Sequence, residues 1–304
     1  MVNSLLLWAA GSSRLEKFVA GNPLASKTVQ RFVAGRGLSD AVSAAVELNA
    51  QGISGILDLL GEGVQDLDGA SEAAKGYLEA VEVIGERGID ATVSLKLSQL
   101  GLTVDPAACV ANLNMILERA KQLGVGVEVD MEQSELVDDT LKVFREAAAD
   151  YPTTRLAIQV CLRRTQSDLK SLASSLSPRV RLVKGAYAEP TAKALQSKKE
   201  ITAQYARLTD WLFVHGSLPA FGTHDDVCIE YAQKAAVRAG VGKRDFEIQM
   251  LYGIRRDLQK ALAADGYRVA VYIPFGSAWY PYLMRRMAER PANLRFFLRS
   301  LVGS

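Results

Sequence analysis

GVGVEVDM (124–131), TRLAIQVCL (154–162) and VRLVKGAY (180–187) are three short apolar, β-branched runs separated by longer helical patterns. Each has the length of a strand covered on both faces, where the apolar run is continuous rather than alternating. The intervening stretches are rich in Ala, Leu, Lys and Glu. Strands that alternate with helical crossovers imply βαβ units and a parallel sheet.

Working outward, the same rhythm holds from about residue 45 onward. GISGILDLL (52–60) and DATVSLKL (90–97) lie upstream; LPAFGTHD (218–225), FEIQML (246–251) and YRVAVYIPFG (267–276) lie downstream. Asp105-Pro106 reads as a cap followed by proline in a first helical turn. Asp138 and Asp139 precede another helix, and Thr191 to Val214 is the longest helical stretch. Eight strand–helix units in about 250 residues match a (β/α)8 TIM-type barrel. A doubly wound open sheet is the alternative. Residues 1–45, broken by Gly21-Asn22-Pro23 and Gly35-Arg36-Gly37, read as an N-terminal helical arm, with residues 46–304 as the barrel domain. The Leu5-Leu6-Leu7-Trp8 cluster of the arm needs an apolar partner: the barrel, another subunit or a membrane surface.

Composition bounds the rest. The chain has 304 residues, a net charge of +2 and three scattered cysteines, Cys109, Cys161 and Cys228. The near-neutral charge makes no case for nucleic acid, and the cysteines form no secretory framework, so a cytoplasmic setting is expected. Two histidines, His215 and His224, argue against a histidine-built metal site. The apolar run near the N-terminus is too short to span a bilayer.

Polar residues recur at one end of the strands: Lys96, Asp130, Gln159, Arg181 and Lys184, then Thr223, His224 and Asp225, then Gln249 and Tyr272. In a parallel barrel those ends share one mouth, where active sites are built. Each has a plainer explanation alone, as an ion pair, a cap or a loop hydrogen bond; their convergence makes the mouth the candidate site. No G-x-G-x-x-G opens a helix after a strand, so a Rossmann dinucleotide site is not indicated. Arg285 and Arg286 follow the last strand on a helix beginning near Trp279. Glu289 lies within pairing reach of both, and taken alone this is an exposed salt bridge. If the helix folds across the mouth, the guanidinium forks match a carboxylate bidentately. Tyr272, Tyr282 and Leu251 then wall a pocket for a small amino or imino acid. A different chemistry on the same barrel is a Schiff-base lyase using Lys96 or Lys184.

Seven ordered segments carry a family resemblance: SLKLS (94–98), EVDME (128–132), QVCLRR (159–164), RLVKGAY (181–187), GTHD (222–225), FEIQMLYG (246–253) and YLMRRMAE (282–289). On them the chain resembles the proline dehydrogenases, in particular the compact single-function bacterial type. The resemblance implies a barrel that binds FAD without a Rossmann motif and oxidises L-proline to Δ1-pyrroline-5-carboxylate. A hydride passes to the flavin and electrons go on to a membrane quinone, so transient contact at the inner face of the cell membrane is expected. It further implies that Arg285, Arg286 and Lys96 hold the proline carboxylate, that Tyr272 and Leu251 pack on the ring, and that Glu289 orients the clamp. Asp130 and Arg181 belong to the catalytic set, Arg181 near flavin N5. Met131, Gln159 and Gln249 contact the ring system; Lys184, Gly185, Ala186, Tyr187, Thr223 and His224 line the ribityl, phosphate and adenosine end. Two departures stand out: Arg290-Pro291 after Glu289, and Asp225, where relatives carry asparagine. At this length no second domain that would oxidise the product is expected, and the arm is a candidate homo-oligomer contact.

Overall fold

The computed structural model describes residues 29–61 and 63–289, with the side chains of Arg285, Met287, Ala288 and Glu289 excepted. The apolar cluster at residues 5–8 therefore lies outside the described residues. Eight strands close into one all-parallel barrel in chain order: β1 (Ser54–Leu59), β2 (Ala91–Leu95), β3 (Gly126–Val129), β4 (Arg155–Gln159), β5 (Arg179–Val183), β6 (Ala220–Gly222), β7 (Glu247–Leu251) and β8 (Arg268–Phe275). The seam pairs β1 with β8 from Ser54↔Ala270 to Leu59↔Phe275. All eight apolar runs are strands, and closure excludes the open sheet.

The crossover helices are α2 (Leu67–Glu86), α3 (Pro106–Leu123), α4 (Val137–Asp150), α5 (Thr165–Ala173), α6 (Lys198–His215), α7 (Asp226–Ala239) and α8 (Arg256–Ala264). Their ends follow local chemistry. Asp105 accepts from Ala107 N and Ala108 N with Pro106 at the first turn, and Gly124 closes α3 at φ 69°. Such a cap is worth about 1 kcal/mol. Asp138 and Asp139 stand inside the first turn of α4, where carboxylates favour the helix dipole. One expectation needs correcting: among the described residues the longest helix is α2, and α6 starts at Lys198, capped by Ser197, rather than at Thr191. Residues 190–194 instead turn back, with Lys193 N and Ala194 N both donating to Pro190 O.

Helix α1 (Leu38–Asn49) packs against both β1 and β8 on the outside of the barrel, through Ala41, Val42, Ala44 and Ala45. It runs across the boundary drawn at residue 45. A Cβ on Gly55 would meet Ala45 Cβ at 3.1 Å, so the approach depends on the missing side chain. The seam between first and last strands is thus filled from the N-terminal side. Consequently the last helix, α9 (Trp279–Glu289), does not occupy that seam. It joins a separate apolar cluster, with Trp279, Tyr280, Tyr282 and Leu283 against Phe32, Val33 and Leu60. Leu60 follows β1 and Ile254 follows β7, so α9 packs on loops at the carboxyl ends of the strands. Residues 34–35 brace the chain leading into it: Ala34 N donates to Pro274 O at 2.9 Å, and Gly276 N donates to Gly35 O at 3.1 Å.

Candidate active site

Ion pairs within the barrel are the centre of the mouth. Lys96, just past β2, places Nζ 3.1 Å from Asp58 Oδ1 and 3.0 Å from Asp130 Oδ2. Tyr272, from mid-β8, donates its hydroxyl to Asp130 Oδ2 at 2.6 Å. Ser94 donates to Asp130 Oδ1 at 3.0 Å, and Arg181 Nη2 pairs with the same oxygen. The Arg181 guanidinium also lies 5.4 Å from the centre of the Tyr272 ring, a cation–π contact. Strands β1, β2, β3, β5 and β8 thereby meet through side chains that only an interior path can connect.

Burial sets the electrostatics. It pushes the Asp130 carboxyl up, but Lys96 and Arg181 outweigh it, with the Tyr272 hydroxyl assisting, and hold it down at about 2. Asp58, only 1% exposed, goes the other way: burial raises it further than Lys96 lowers it. Burial acts to discharge Lys96, yet Asp58, Tyr272 and Asp130 hold its ammonium well above the usual lysine range. Tyr272 is raised by burial, then by Asp130 and Asp58, so it stays a phenol and a donor.

A second group lines the β4–β7 side. Gln159 donates to Glu132 O at 2.8 Å and accepts from Ala186 N at 3.2 Å, leaving one amide hydrogen. Met131 is buried just after β3. Gly185 has φ 117° and an added Cβ would run into Cys161 Sγ, so the turn Lys184–Ala186 requires glycine. That turn continues to Tyr187 and is tied back across the mouth, Ser134 N donating to Glu189 Oε1 at 2.7 Å. Lys184 Nζ pairs with Asp225 Oδ2 at 2.5 Å, and Asp225 also caps α7. Thr223 is buried, and its hydroxyl accepts from Asp225 N at 3.1 Å. His224 Nε2 accepts from Leu251 N at 2.8 Å, fixing the end of β7. Arg286, on α9, places its guanidinium 5.1 Å from the centre of the Tyr282 ring. The side chains of Arg285 and Glu289 lie outside the described residues.

Two positions correct the sequence reading: Tyr272 and Gln249 sit within β8 and β7 rather than at their ends. Gln249 lies deeper, donating to Glu128 and Glu247. Sequence reasoning missed Asp58, Ser94, Glu128, Arg155 and Glu247. The signal was present as polar residues two apart within apolar runs, Glu128 with Asp130 and Glu247 ahead of Gln249, which put both members of a pair on the inner face.

A barrel whose strand ends gather lysine, arginine and aspartate beneath a covering helix matches one family in sequence. The profile described as Proline dehydrogenase matches residues 41–299. The chain belongs to the proline dehydrogenase family. It is 35% identical over 304 residues to Proline dehydrogenase 1 of Bacillus subtilis subsp. natto, covering 99% of each chain. It is 38% identical over 278 residues to Proline dehydrogenase of Deinococcus radiodurans, covering 90% of this chain and 89% of that one. In structure it resembles proline utilization A (PutA) from Bdellovibrio bacteriovorus inactivated by N-propargylglycine, with a TM-score of 0.78 and 25% identity. That likeness covers 87% of this chain and 33% of the PutA chain, so this family member spans about a third of that protein.

Proposed function

We propose that this chain carries out the reaction its family name states, oxidation of L-proline, with Δ1-pyrroline-5-carboxylate as product and FAD as hydride acceptor. The carrying observation is the set Lys96, Asp130, Arg181 and Tyr272, gathered at the end of the barrel where α9 packs on the strand-end loops. The donor chemistry fits a flavin. Lys184 and the bare backbone turn at Gly185 and Ala186 suit phosphates, with Tyr187, Thr223 and His224 beside them. Met131 and Gln159 suit the ring system, with Arg181 beside it and Gln249 supporting Arg181 from the interior. A bound flavin supplies the two-electron acceptor.

The protein groups do the positioning. Arg285 and Arg286 receive the proline carboxylate, with the Lys96 ammonium below and Glu289 orienting the forks. Tyr272 and Leu251 pack on the pyrrolidine ring. Arg181 presents a fixed positive charge where negative charge develops on the acceptor. Asp130 holds Lys96, Arg181 and Tyr272 in one arrangement. Lys96 is bracketed by two carboxylates and held protonated, and Lys184 is ion-paired; neither suits a Schiff-base nucleophile, which must be neutral. We place the electron acceptor of the second half-reaction in the membrane, as a quinone. Contact with it would be transient, with residues 1–45 as candidate membrane contact or as a homo-oligomer surface; among the described residues no helix is long and apolar enough to cross a bilayer. The test is a visible spectrum before and after anaerobic L-proline. A flavin band that bleaches supports the reading; a protein that remains colourless with added FAD overturns it.

A further inference from the structure

The interior of such a barrel is usually filled by layers of branched apolar side chains. Here a column of charge runs through it beneath the mouth. Glu128, on β3 and 2% exposed, bridges two guanidinium groups: Oε1 takes Arg155 Nη1 at 2.7 Å and Oε2 takes Arg181 Nη1 at 3.0 Å. Gln249 Nε2 donates to both Glu128 oxygens, at 2.9 and 3.2 Å, and to Glu247 Oε1 at 2.7 Å. Arg155 is anchored lower down by Glu247 Oε1 at 3.0 Å and by Leu218 O at 3.3 Å.

Stability alone gives no reason for this column. Buried ion pairs replaced by well-packed apolar residues are often neutral or stabilising, whereas removing one partner is costly. What the column does accomplish is geometric. Arg181 is a long side chain, and its two terminal nitrogens are pinned from opposite sides. Nη2 meets Asp130 and Ser94 toward the mouth; Nη1 meets Glu128 and Gln249 toward the interior.

We propose that Glu128 is a positioning residue for Arg181: it holds the guanidinium from below, fixes its aim at the mouth and partly neutralises it, and so sets the reduction potential of the flavin bound there. This rests on the placement of Arg181 beside the flavin given above. A fixed anion next to that cation weakens the field the acceptor feels, so Glu128 keeps the potential lower than Arg181 alone would give.

The experiment is a redox titration of the flavin-loaded protein against reference dyes, comparing the native chain with Glu128→Gln, Glu247→Gln and Arg181→Lys. Glu128→Gln removes the anion that faces Arg181. Glu247→Gln perturbs the same column on the far side of Glu128. The expected result is an upward shift in Glu128→Gln of about tenfold in the two-electron equilibrium, about 30 mV, with Glu247→Gln close to the native chain. Glu128→Asp keeps the charge but shortens the arm. It gives the same sign at smaller size, and serves if Glu128→Gln does not fold. An unmoved or lowered potential in the Glu128 variants, with Arg181→Lys shifted, overturns the strut. An equal shift in Glu247→Gln overturns it too, since general loosening then explains both. No shift in any variant, Arg181→Lys included, removes Arg181 from the flavin and the proposal with it.

Discussion

Asp130 Oδ2 is shared by the Tyr272 hydroxyl at 2.6 Å and the Lys96 ammonium at 3.0 Å, joining β8 and β2 through a carboxylate on the far side of β3. Two donors on one oxygen make the position of the tyrosine ring depend on the charge of the aspartate. Tyr272→Phe keeps the ring and removes the tether. Hydrogen bonds to charged groups contribute about 1.5–3 kcal/mol, so kcat/KM for proline should fall about ten- to a hundredfold. Steady-state kinetics with unchanged flavin content would support the tether; full activity would rule it out.

Lys96→Met leaves Asp58 and Asp130 facing each other without the cation between them. Loss of one partner from a buried cluster costs about 3–5 kcal/mol, and the melting temperature should drop accordingly. Borohydride reduction of the native enzyme in the presence of a keto acid should leave Lys96 and Lys184 unmodified by mass spectrometry. A covalent adduct on either would revive the lyase chemistry.

Arg286→Lys keeps a positive charge on α9 but cannot form a two-pronged contact. Proline binding, followed by flavin bleaching under anaerobic conditions, should weaken at least tenfold while the protein stays yellow. Loss of colour instead would assign Arg286 mainly to the cofactor.

The Asp130 carboxyl, ordinarily near 3.8, is held at about 2 after burial is outweighed by Lys96 and Arg181. Folded protein binds fewer protons there than unfolded protein, so this group stabilises the fold above pH 3.8, by about 2 kcal/mol. That contribution disappears as the pH falls through about 2. Asp58 is raised, mainly by burial, and has the opposite sign: its contribution is present in acid and is lost as pH rises. Acid unfolding followed by circular dichroism should therefore be less steep below pH 4 in Asp130→Asn. An unchanged profile would mean that Asp130 is not the group that titrates.

Gly185→Ala tests the turn after β5. Its φ of 117° is a conformation that L side chains avoid, and the new methyl meets Cys161. Purified Gly185→Ala should carry much less flavin than the native chain, with a folded far-ultraviolet spectrum. Full occupancy would show that the turn has another purpose.

The order of strands was legible because doubly covered strands are apolar throughout, and so stand out against amphipathic crossovers. Lys96, Asp130 and Lys184 were legible for the complementary reason: a charge just past such a run has no surface but the mouth to occupy. Glu128, Arg155 and Glu247 were hidden by the same logic. A charge inside an apolar run looks like an interruption until the closed barrel shows an opposite charge across its interior. Helix α1 was obscured for a different reason. Its small buried residues, Ala41, Ala44 and Ala45, mark close approach to something without saying to what.

That helix has a consequence for how the chain must be cut or joined. Because the seam between β1 and β8 is plugged from ahead of the first strand, the closing helix of an ordinary barrel is free for other duty, and here that duty is roofing the mouth. A chain begun at the first strand would keep every strand and every mouth residue, yet it would offer its own roof an empty berth in the wall. Helices α1 and α9 are two claimants to one position in the wall, and the occupancy of that position by α1 is what leaves α9 over the mouth.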